Sequence, residues 1–286
     1  MDQINVIAWE GRSETLDGCI SQRQAAQIHA TLGKPGTPTP TQGEAMPQLW
    51  HWCAFPPAVP MNELARDGHP MLGDFLPPVK LERRMWASGR LTFGAPLRVG
   101  EQFTRRSTIA KVSEKEGATG PMVFVTVDHQ IYGDRGLVIE EQQDIVYLAI
   151  PDTFSPPKKR PLPETPVLHE TAEASEALLF RYSAITFNAH RIHYDLPYAR
   201  EVEHYPGLVI HGPLQAMWLI EAARAYKGRL PQHFDFRGVH PCLLTPGEPR
   251  TLDIMGVEPN PCALELFVGQ AGHQTMQATA IWEETQ

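Results

Sequence analysis

The sequence predicts an α+β protein built from two copies of one module, each with a helix ahead of several antiparallel strands. Two observations support this fold class. A helix signal and a run of strand signals occur on each side of a proline-rich segment, and a short motif repeats at a constant offset. The predicted division is a first module at 1–150, a linker at 151–166 and a second module at 167–286.

The first module opens with a helix signal. Ser21 suits the N-cap, apolar residues follow at near-helical spacing, and Gly33 ends the segment. The aromatic-rich run Leu49–Phe55 predicts a strand, because bulky aromatic side chains suit a pleated, half-buried surface. Met61–Pro78, rich in Gly, Pro and Asp, predicts a loop. Further strands are predicted at Trp86–Phe93, Gln102–Val112, Met122–Tyr132 and Leu137–Ile150.

The segment Pro151–Pro166 contains six prolines and no periodic pattern, which indicates a module boundary. After it we expect a strand at Leu178–Ser183, a short strand at Leu208–Ile210 and an apolar helix at Leu214–Tyr226. The last predicted strands are Phe234–Leu244, Arg250–Gly256, Ala263–Gly269 and Thr275–Trp282.

A weak internal repeat supports duplication of the module. The segments beginning at Gly89 and Phe236 share four identical residues at one constant offset. The matched pairs are Arg90 with Arg237, Leu97 with Leu244, Gly100 with Gly247 and Glu101 with Glu248. One shared offset favours two copies of one module over chance.

Composition narrows the possible function classes. A net charge of −8 argues against a nucleic-acid surface, and no apolar run approaches the ~20 residues of a membrane helix. The N-terminus lacks the basic and apolar regions of a signal peptide, so we expect a cytoplasmic protein. The scattered cysteines form no CxxC pair, which predicts free thiols and no zinc site: Cys19, Cys53, Cys242 and Cys262.

Polar residues suited to catalysis concentrate between Arg181 and Tyr226, around the short predicted strand and the helix that follows. They are Asn188, His190, His193, Asp195 and His211. A helix N-terminus offers unpaired N–H groups and the positive end of the helix dipole, which suit a developing oxyanion. Spacing alone is equally consistent with a buried helix after a polar loop.

The runs FNAHRIHYDLPYA (Phe187–Ala199) and YPGLVIHGPL (Tyr205–Leu214) resemble the signature of MaoC-like (R)-specific enoyl-thioester hydratases. His193 falls on the catalytic histidine of that family. Asn188 stands where the family has its catalytic Asp, His190 where it has Asn, and Arg191 replaces a proline. The resemblance implies a double hot-dog fold, in which an antiparallel sheet wraps a long helix in each copy.

The variant motif resembles one branch of the family, which contains fused hydratases of itaconyl-CoA and methylfumaryl-CoA and mitochondrial 3-hydroxyacyl-thioester dehydratases. Gly73–Phe93, Arg98–Phe103 and Glu140–Tyr147 fit this branch too. It implies a cofactor-free hydratase acting on an enoyl-CoA thioester, with itaconyl-CoA, hydrated to citramalyl-CoA, as the first candidate substrate. The fold family commonly pairs modules across sheet edges, which implies a homo-oligomer, and the charge and hydropathy above predict neither a nucleic-acid nor a membrane partner.

The resemblance assigns roles to the residues of the motif. His193 would be the acid–base group, Asn188 would orient the water without taking its proton, and the Gly212 N–H would bind the thioester oxygen. Asp195, His190 and His211 would support them. Asp195 is expected to cap a short helix at Leu196-Pro197 rather than act directly in catalysis, and His211 to be a structural hydrogen-bonding residue rather than a base. A structural His193 in a turn is the alternative, and His190 either supports His193 or faces solvent. No metal is expected.

A second carboxylate on the substrate would favour an arginine partner. Arg84 is the first candidate, with Arg83 beside it and Trp86 as part of the core or of the pocket wall. The alternative is that these arginines are solvated or bind the CoA phosphates.

At the level of function, the alternatives are a fatty-acid dehydratase, a thioesterase on the same scaffold and a non-catalytic acyl-thioester binding protein. A thioesterase would need a carboxylate near the central helix, which His-Gly-Pro does not supply.

Overall fold

A computed structural model describes residues 5–117 and 120–284 of the chain, which form two compact units. The first unit holds the chain up to Ala87 together with Gly94–Asp152 and Ser183–His190. The second holds Ser88–Phe93, Thr153–Tyr182 and the chain from Arg191 onward. Compared with a division at the proline-rich linker, Ser88–Phe93 therefore belongs to the second unit and Ser183–His190 to the first. The division of the chain into modules at the linker stays a prediction.

The first unit is built on an antiparallel sheet in the order β1-β3-β4-β5-β2. Strand β2 belongs to it through Arg83–Ala87. The four strands predicted from Trp86 to Ile150 are all present, and β1 is an addition. The strands are β1 (Ser13–Cys19), β2 (Arg83–Phe93), β3 (Gln102–Gly117), β4 (Gly120–Gly133) and β5 (Gly136–Leu148).

The second unit repeats this plan. The end of β2, from Ser88 to Thr92, pairs with β8, and β12, β11, β10 and β6 follow in that order. All these pairings are antiparallel. Its strands are β6 (Leu168–Glu173), β8 (His233–Gly238), β10 (Thr251–Asn260), β11 (Ala263–Gln270) and β12 (His273–Ile281), and β7 (Leu208–Val209) pairs separately with β9 (Leu243–Leu244).

Helices α1 (Gln22–Leu32) and α4 (Gly212–Lys227) confirm the predicted helix of each copy. The Ser21 side chain caps α1 in a reciprocal pair with Gln24, and the helix buries Ala25 and Ile28. Helix α4 is longer, contacts five strands of its unit and buries eight residues, because apolar and small residues occupy most of its faces. Gly228 ends it with φ +68°.

The predicted strand at Leu178–Ser183 is wrong, because these residues lie in helix α2 (Glu176–Thr186). The Ser175 hydroxyl accepts a hydrogen bond from the Leu178 N–H and so starts the helix. Leu179, Tyr182 and Ser183 are buried while Phe180 is exposed, which is the spacing of a helix face. The apolar run concealed that period. Helix α3 (Leu196–Glu201) follows later in the chain.

The strand predicted at Leu49–Phe55 is also wrong. Trp50–Cys53 forms a 3₁₀ turn, entered through Leu49 at φ +69°. The consecutive residues Trp50 and His51 are both buried, so this run has no exposed face of the kind that an alternating strand requires.

The internal repeat has a structural counterpart. Gly100 and Gly247 adopt nearly the same left-handed backbone, with φ +83° and +85°. Leu97 and Leu244 are each 4% exposed. The matched glycines and leucines therefore hold the same turn and the same core position in their units, as expected after duplication of one module.

All four cysteines are free thiols, as expected, and Cys53 and Cys242 are buried. Among the residues that the structure describes, no helix combines the length and apolar character needed to cross a membrane.

Candidate active site

The N-terminus of α4 lies at the end of the short β7–β9 pair. His211 is the N-cap, and its carbonyl accepts from the Gln215 N–H at 3.2 Å. Gly212 opens the helix, and within the described residues its N–H donates no hydrogen bond. A Cβ added at Gly212 would meet only Met276 Cε, at 3.7 Å. Within that part of the chain, Gly212 thus has a free N–H donor and an uncrowded Cα.

His193 lies in a 3₁₀ turn (Arg191–His193) and is 7% exposed. Its Nδ1 lies 2.7 Å from the Val209 carbonyl oxygen in β7. A carbonyl can only accept, so Nδ1 carries the proton and Nε2 carries the lone pair of the neutral ring. The ring stacks on His211 with centroids 3.6 Å apart and planes 18° apart. This environment fixes the tautomer and orientation that a proton acceptor needs.

Both carboxylate oxygens of Asp195 hold the local backbone and side chains in place. Its Oδ1 caps α3 by accepting from the Tyr198 N–H at 3.1 Å, and its Oδ2 accepts from Arg191 Nε and Nη2 at 3.0 and 2.8 Å. The hydrogen bonds from Arg191 lower the pKa of this carboxyl. The capping role predicted for Asp195 is therefore confirmed, and the residue supports the turn that carries His193.

Asn188 follows a strained residue. Phe187 adopts φ +52°, which is rare for a bulky side chain, and is exposed. The Asn188 N–H donates to the Ser183 carbonyl at 2.8 Å, and its Oδ1 accepts from the His190 N–H at 2.9 Å. The amide is therefore held in a fixed orientation beside the end of α2.

His190 is buried and does not face solvent, while its support of His193 stays a prediction. In the same unit its ring lies 4.2 Å, centroid to centroid, from the ring of His69, tilted by 42°. His69 Nδ1 lies 2.7 Å from Asp67 Oδ2, and its N–H donates to Asp67 Oδ1 at 3.0 Å. A carboxylate and an imidazole from the predicted loop Met61–Pro78 thus come together with the imidazole of the motif residue His190.

Asp67, His69 and His190 have potential ligand atoms within 4.8 Å of one another, which is close enough for a metal site. Two features favour a hydrogen-bonded cluster instead. Both carboxylate oxygens of Asp67 already accept from His69. The positive charge of Arg84 also acts on His69 and would repel a cation. The absence of a metal stays a prediction.

The three substrate-binding candidates lie at the start of β2. Arg83 is buried and Arg84 is half-buried. Trp86 packs edge-on against Trp52 at 4.9 Å between centroids, so its ring is part of an aromatic cluster. Burial raises the pKa of Tyr147, and the nearby Arg84 charge opposes that rise. Arg84 is therefore close to both His69 and Tyr147 within the first unit.

Sequence reasoning missed the Asp67–His69 pair. The available signal was the spacing Asp-Gly-His. A carboxylate two residues before a histidine can accept hydrogen bonds from that histidine when the glycine between them allows a tight turn. Gly68 adopts φ +92°, which a non-glycine residue would adopt only with strain. Reading the segment as a loop was right, but a loop can still carry a site.

The β7–β9 pair that supports His193 depends on Gly207. A Cβ there would lie 2.5 Å from the Leu244 carbonyl oxygen, so Gly207→Ala must displace the pair. We expect a loss of roughly 1–3 kcal/mol in the free energy of unfolding, together with lower activity as the Val209 carbonyl shifts. Denaturant titration would measure the loss. Gly94→Ala, whose Cβ would be 3.5 Å from its nearest neighbour, is the control, and equal stability of the two variants would contradict the argument.

Comparison with known proteins agrees with this geometry. Residues 49–244 match the family model described as hydroxyacyl-thioester dehydratase type 2, Htd2. The chain is 45% identical over 246 residues to mesaconyl-C(4)-CoA hydratase of Chloroflexus aurantiacus, covering 84% of this chain and 86% of the relative. It is 28% identical over 228 residues to mitochondrial hydroxyacyl-thioester dehydratase type 2 of Schizosaccharomyces pombe, covering 68% and 73% of the two chains.

Solved structures show the same fold at low identity. A MaoC-like dehydratase aligns with a TM-score of 0.70 at 13% identity, covering 97% of this chain and all of the other. A Mycobacterium tuberculosis protein described as a double hot-dog fold aligns at 0.58 and 14% identity, covering 95% and 96%. The fold is therefore the double hot-dog expected from the sequence, and the chain belongs to the hydroxyacyl-thioester dehydratase type 2 family of MaoC-like hydro-lyases.

Proposed function

We propose that this enzyme adds water across the double bond of an enoyl-CoA thioester whose acyl group is short, branched and dicarboxylic. Itaconyl-CoA and methylfumaryl-CoA (mesaconyl-CoA) are the two proposed substrates. The second gains support from the 45% identical relative named for hydrating mesaconyl-C(4)-CoA. The observation that carries the hydratase assignment is His193, whose Nδ1–H is held by the Val209 carbonyl so that Nε2 is the basic nitrogen.

In the proposed reaction, water oxygen bonds to the β-carbon and the π electron pair moves toward the thioester oxygen. His193 transfers protons during this addition, since an imidazole can both accept and donate a proton. Asn188 orients the water, because an amide can hydrogen-bond water but cannot take its proton. The Gly212 N–H stabilises the negative charge on the thioester oxygen at the positive end of α4. The α-carbon then accepts a proton, which completes the net addition of one water.

The second carboxylate of the substrate needs a partner once it leaves water. Arg84 is the proposed partner, with Arg83 and Trp86 lining the same strand start. Arg84 is half-buried, and its charge acts on both His69 and Tyr147, so it faces a polar environment within its unit and not only solvent. A guanidinium can bind a carboxylate through two parallel hydrogen bonds.

We therefore expect a large preference, at least about tenfold in kcat/KM, for itaconyl-CoA or mesaconyl-CoA over crotonyl-CoA, which lacks the second carboxylate. This corresponds to about 1.4 kcal/mol of binding. Arg84→Ala should reduce this preference, because it should lower kcat/KM for the dicarboxylic substrates and leave kcat/KM for crotonyl-CoA unchanged. Arg90→Ala, an exposed arginine on the same strand, is the matched control and should leave the preference unchanged.

A fatty-acid dehydratase is the second candidate, favoured by the family model and by the mitochondrial relative of S. pombe. If crotonyl-CoA or longer straight-chain enoyl-CoAs turn over as well as itaconyl-CoA and mesaconyl-CoA, the dicarboxylate proposal fails and this candidate replaces it.

We also propose a homo-oligomer, because β1 and β6 are the outer strands of their sheets and such edges are usually covered. Light scattering would measure the assembly.

A further inference from the structure

The loop segment Asp67-Gly68-His69 and the motif residue His190 form a cluster of titratable groups inside the first unit. The Asp67 carboxylate accepts two hydrogen bonds from His69, at 3.0 Å from the backbone N–H and 2.7 Å from Nδ1. The side chains of His69 and Asp67 are only 18% and 13% exposed. The His190 ring lies 4.2 Å away, and His190 itself is fixed through its N–H by Asn188 Oδ1 at 2.9 Å.

The hydrogen bonds assign the tautomer of His69. An ionised carboxylate only accepts, so Nδ1 carries the proton and Nε2 carries the lone pair. Within the described residues, Nε2 of His69 takes part in no hydrogen bond. A carboxylate-oriented imidazole with an unused Nε2 is the arrangement that enzymes employ to take a proton from a hydroxyl or a water.

The groups around His69 keep the ring neutral. Burial lowers its pKa most, and the nearby Arg84 and His190 lower it further, against the opposing effect of Asp67. The pKa therefore lies well below its usual value of 6.5, so the ring retains its lone pair at neutral pH.

The motif supplies one proton-transfer group, His193, whereas the addition needs one group that takes a proton from water and one that gives a proton to the α-carbon. Asn188 stands where related hydratases have an acid, and an amide cannot accept the proton that water must lose. The cluster brings an oriented base within ring-contact distance of His190, two residues after Asn188 in the same segment of the first unit.

We propose that His69 is a second catalytic residue of the hydration, with Asp67 as its positioning residue. The inference rests on the hydratase function proposed above. As the oxygen of water bonds to the β-carbon, its O–H bond breaks and the proton passes to Nε2 of His69. The π electron pair moves to the thioester oxygen and forms an enolate. His193, which has taken up a solvent proton on Nε2, then gives that proton to the α-carbon as the enolate electron pair returns to form the C–H bond. His69 then returns its proton to solvent and His193 regains one, so water is added without an oxidant or a metal.

The test compares His69→Gln, Asp67→Asn and His169→Gln with the wild-type enzyme on whichever enoyl-CoA turns over fastest. His169 pairs with Asp253 at 2.8 Å on an exposed surface, so it matches the chemistry of the pair without a role in the site. We expect His69→Gln to lower kcat by about 10² to 10⁴, the usual cost of losing an acid–base group. Asp67→Asn should lower kcat with little change in KM, and His169→Gln should leave both unchanged.

Imidazole rescue separates a base from a packing role. In His69→Ala, added imidazole and methylimidazoles should restore activity, and the restored rate should follow the pKa of the added base. Unchanged kcat in His69→Gln would overturn the proposal, as would rescue that is independent of that pKa. The proposal would also be overturned if a lowered melting temperature accounted for the whole loss of kcat in Asp67→Asn. It would equally be overturned if the wild-type enzyme bound one equivalent of a metal ion and the Asp67→Asn enzyme did not. A wild-type enzyme inactive on every enoyl-CoA would instead refute the hydratase function.

Discussion

His193→Ala is expected to reduce hydratase turnover by about two to four orders of magnitude, the range for losing a positioned acid–base group. The reason is specific to the atoms involved. The Val209 carbonyl holds Nδ1–H at 2.7 Å, so the side chain presents Nε2 as its basic nitrogen, and alanine removes that nitrogen entirely. The ring also stacks on His211 at 3.6 Å, but this contact belongs to a short turn and not to the core of the sheet.

The matched control is His29→Ala, because His29 also bonds a backbone carbonyl, that of Thr37, at 2.9 Å. Its activity should equal that of the wild type. Steady-state kinetics and thermal unfolding on both variants would separate chemistry from folding. Near wild-type turnover in a folded His193→Ala enzyme would refute the assignment of His193 as the proton-transfer residue.

A Val167–Gln286 fragment, expressed alone, is expected to show no detectable hydratase activity. This fragment carries the whole motif, yet it lacks parts of the second unit itself. Strand β8 would lose its pairing with Ser88–Thr92 and become an exposed edge. The Arg160 and Pro161 carbonyls, which accept from Gln274, would also be missing. The fragment should therefore aggregate or fold poorly.

Size-exclusion chromatography, circular dichroism and the enoyl-CoA assay would test this expectation against the intact chain. A full-length protein with an uncut protease site in the Pro151–Pro166 linker controls for changes to the linker. Robust activity from a monomeric, folded Val167–Gln286 fragment would show that the second module is self-sufficient.

Elements whose sequence period matches their burial could be predicted from sequence. The alternation of β4 from Val125 onward is seen in the structure as alternate burial, and the Ser21 cap marks the start of α1 correctly. Asp195 was also predictable, because an N-cap acts within one turn of its own residue. In each case the deciding interaction is local in the chain.

Elements with an ambiguous local signal, and contacts between residues that are distant in the chain, could not be predicted in this way. The start of α2 depends on one serine, Ser175, ahead of a run that is apolar enough for a strand. The His69–His190 contact joins residues on two loops that are far apart in sequence, and no periodicity encodes such a pair. The sequence also could not show that His190 is buried, and its role in supporting His193 stays a prediction.

The most direct test of the central claim is to incubate the purified protein with itaconyl-CoA and mesaconyl-CoA and to follow enoyl absorbance, free thiol and product mass together. We predict that absorbance falls, that no thiol is released and that the product gains the mass of one water. Release of free thiol would show a thioesterase, and an unchanged mixture for every enoyl-CoA supplied would show a binding protein. Either result would contradict the hydratase account.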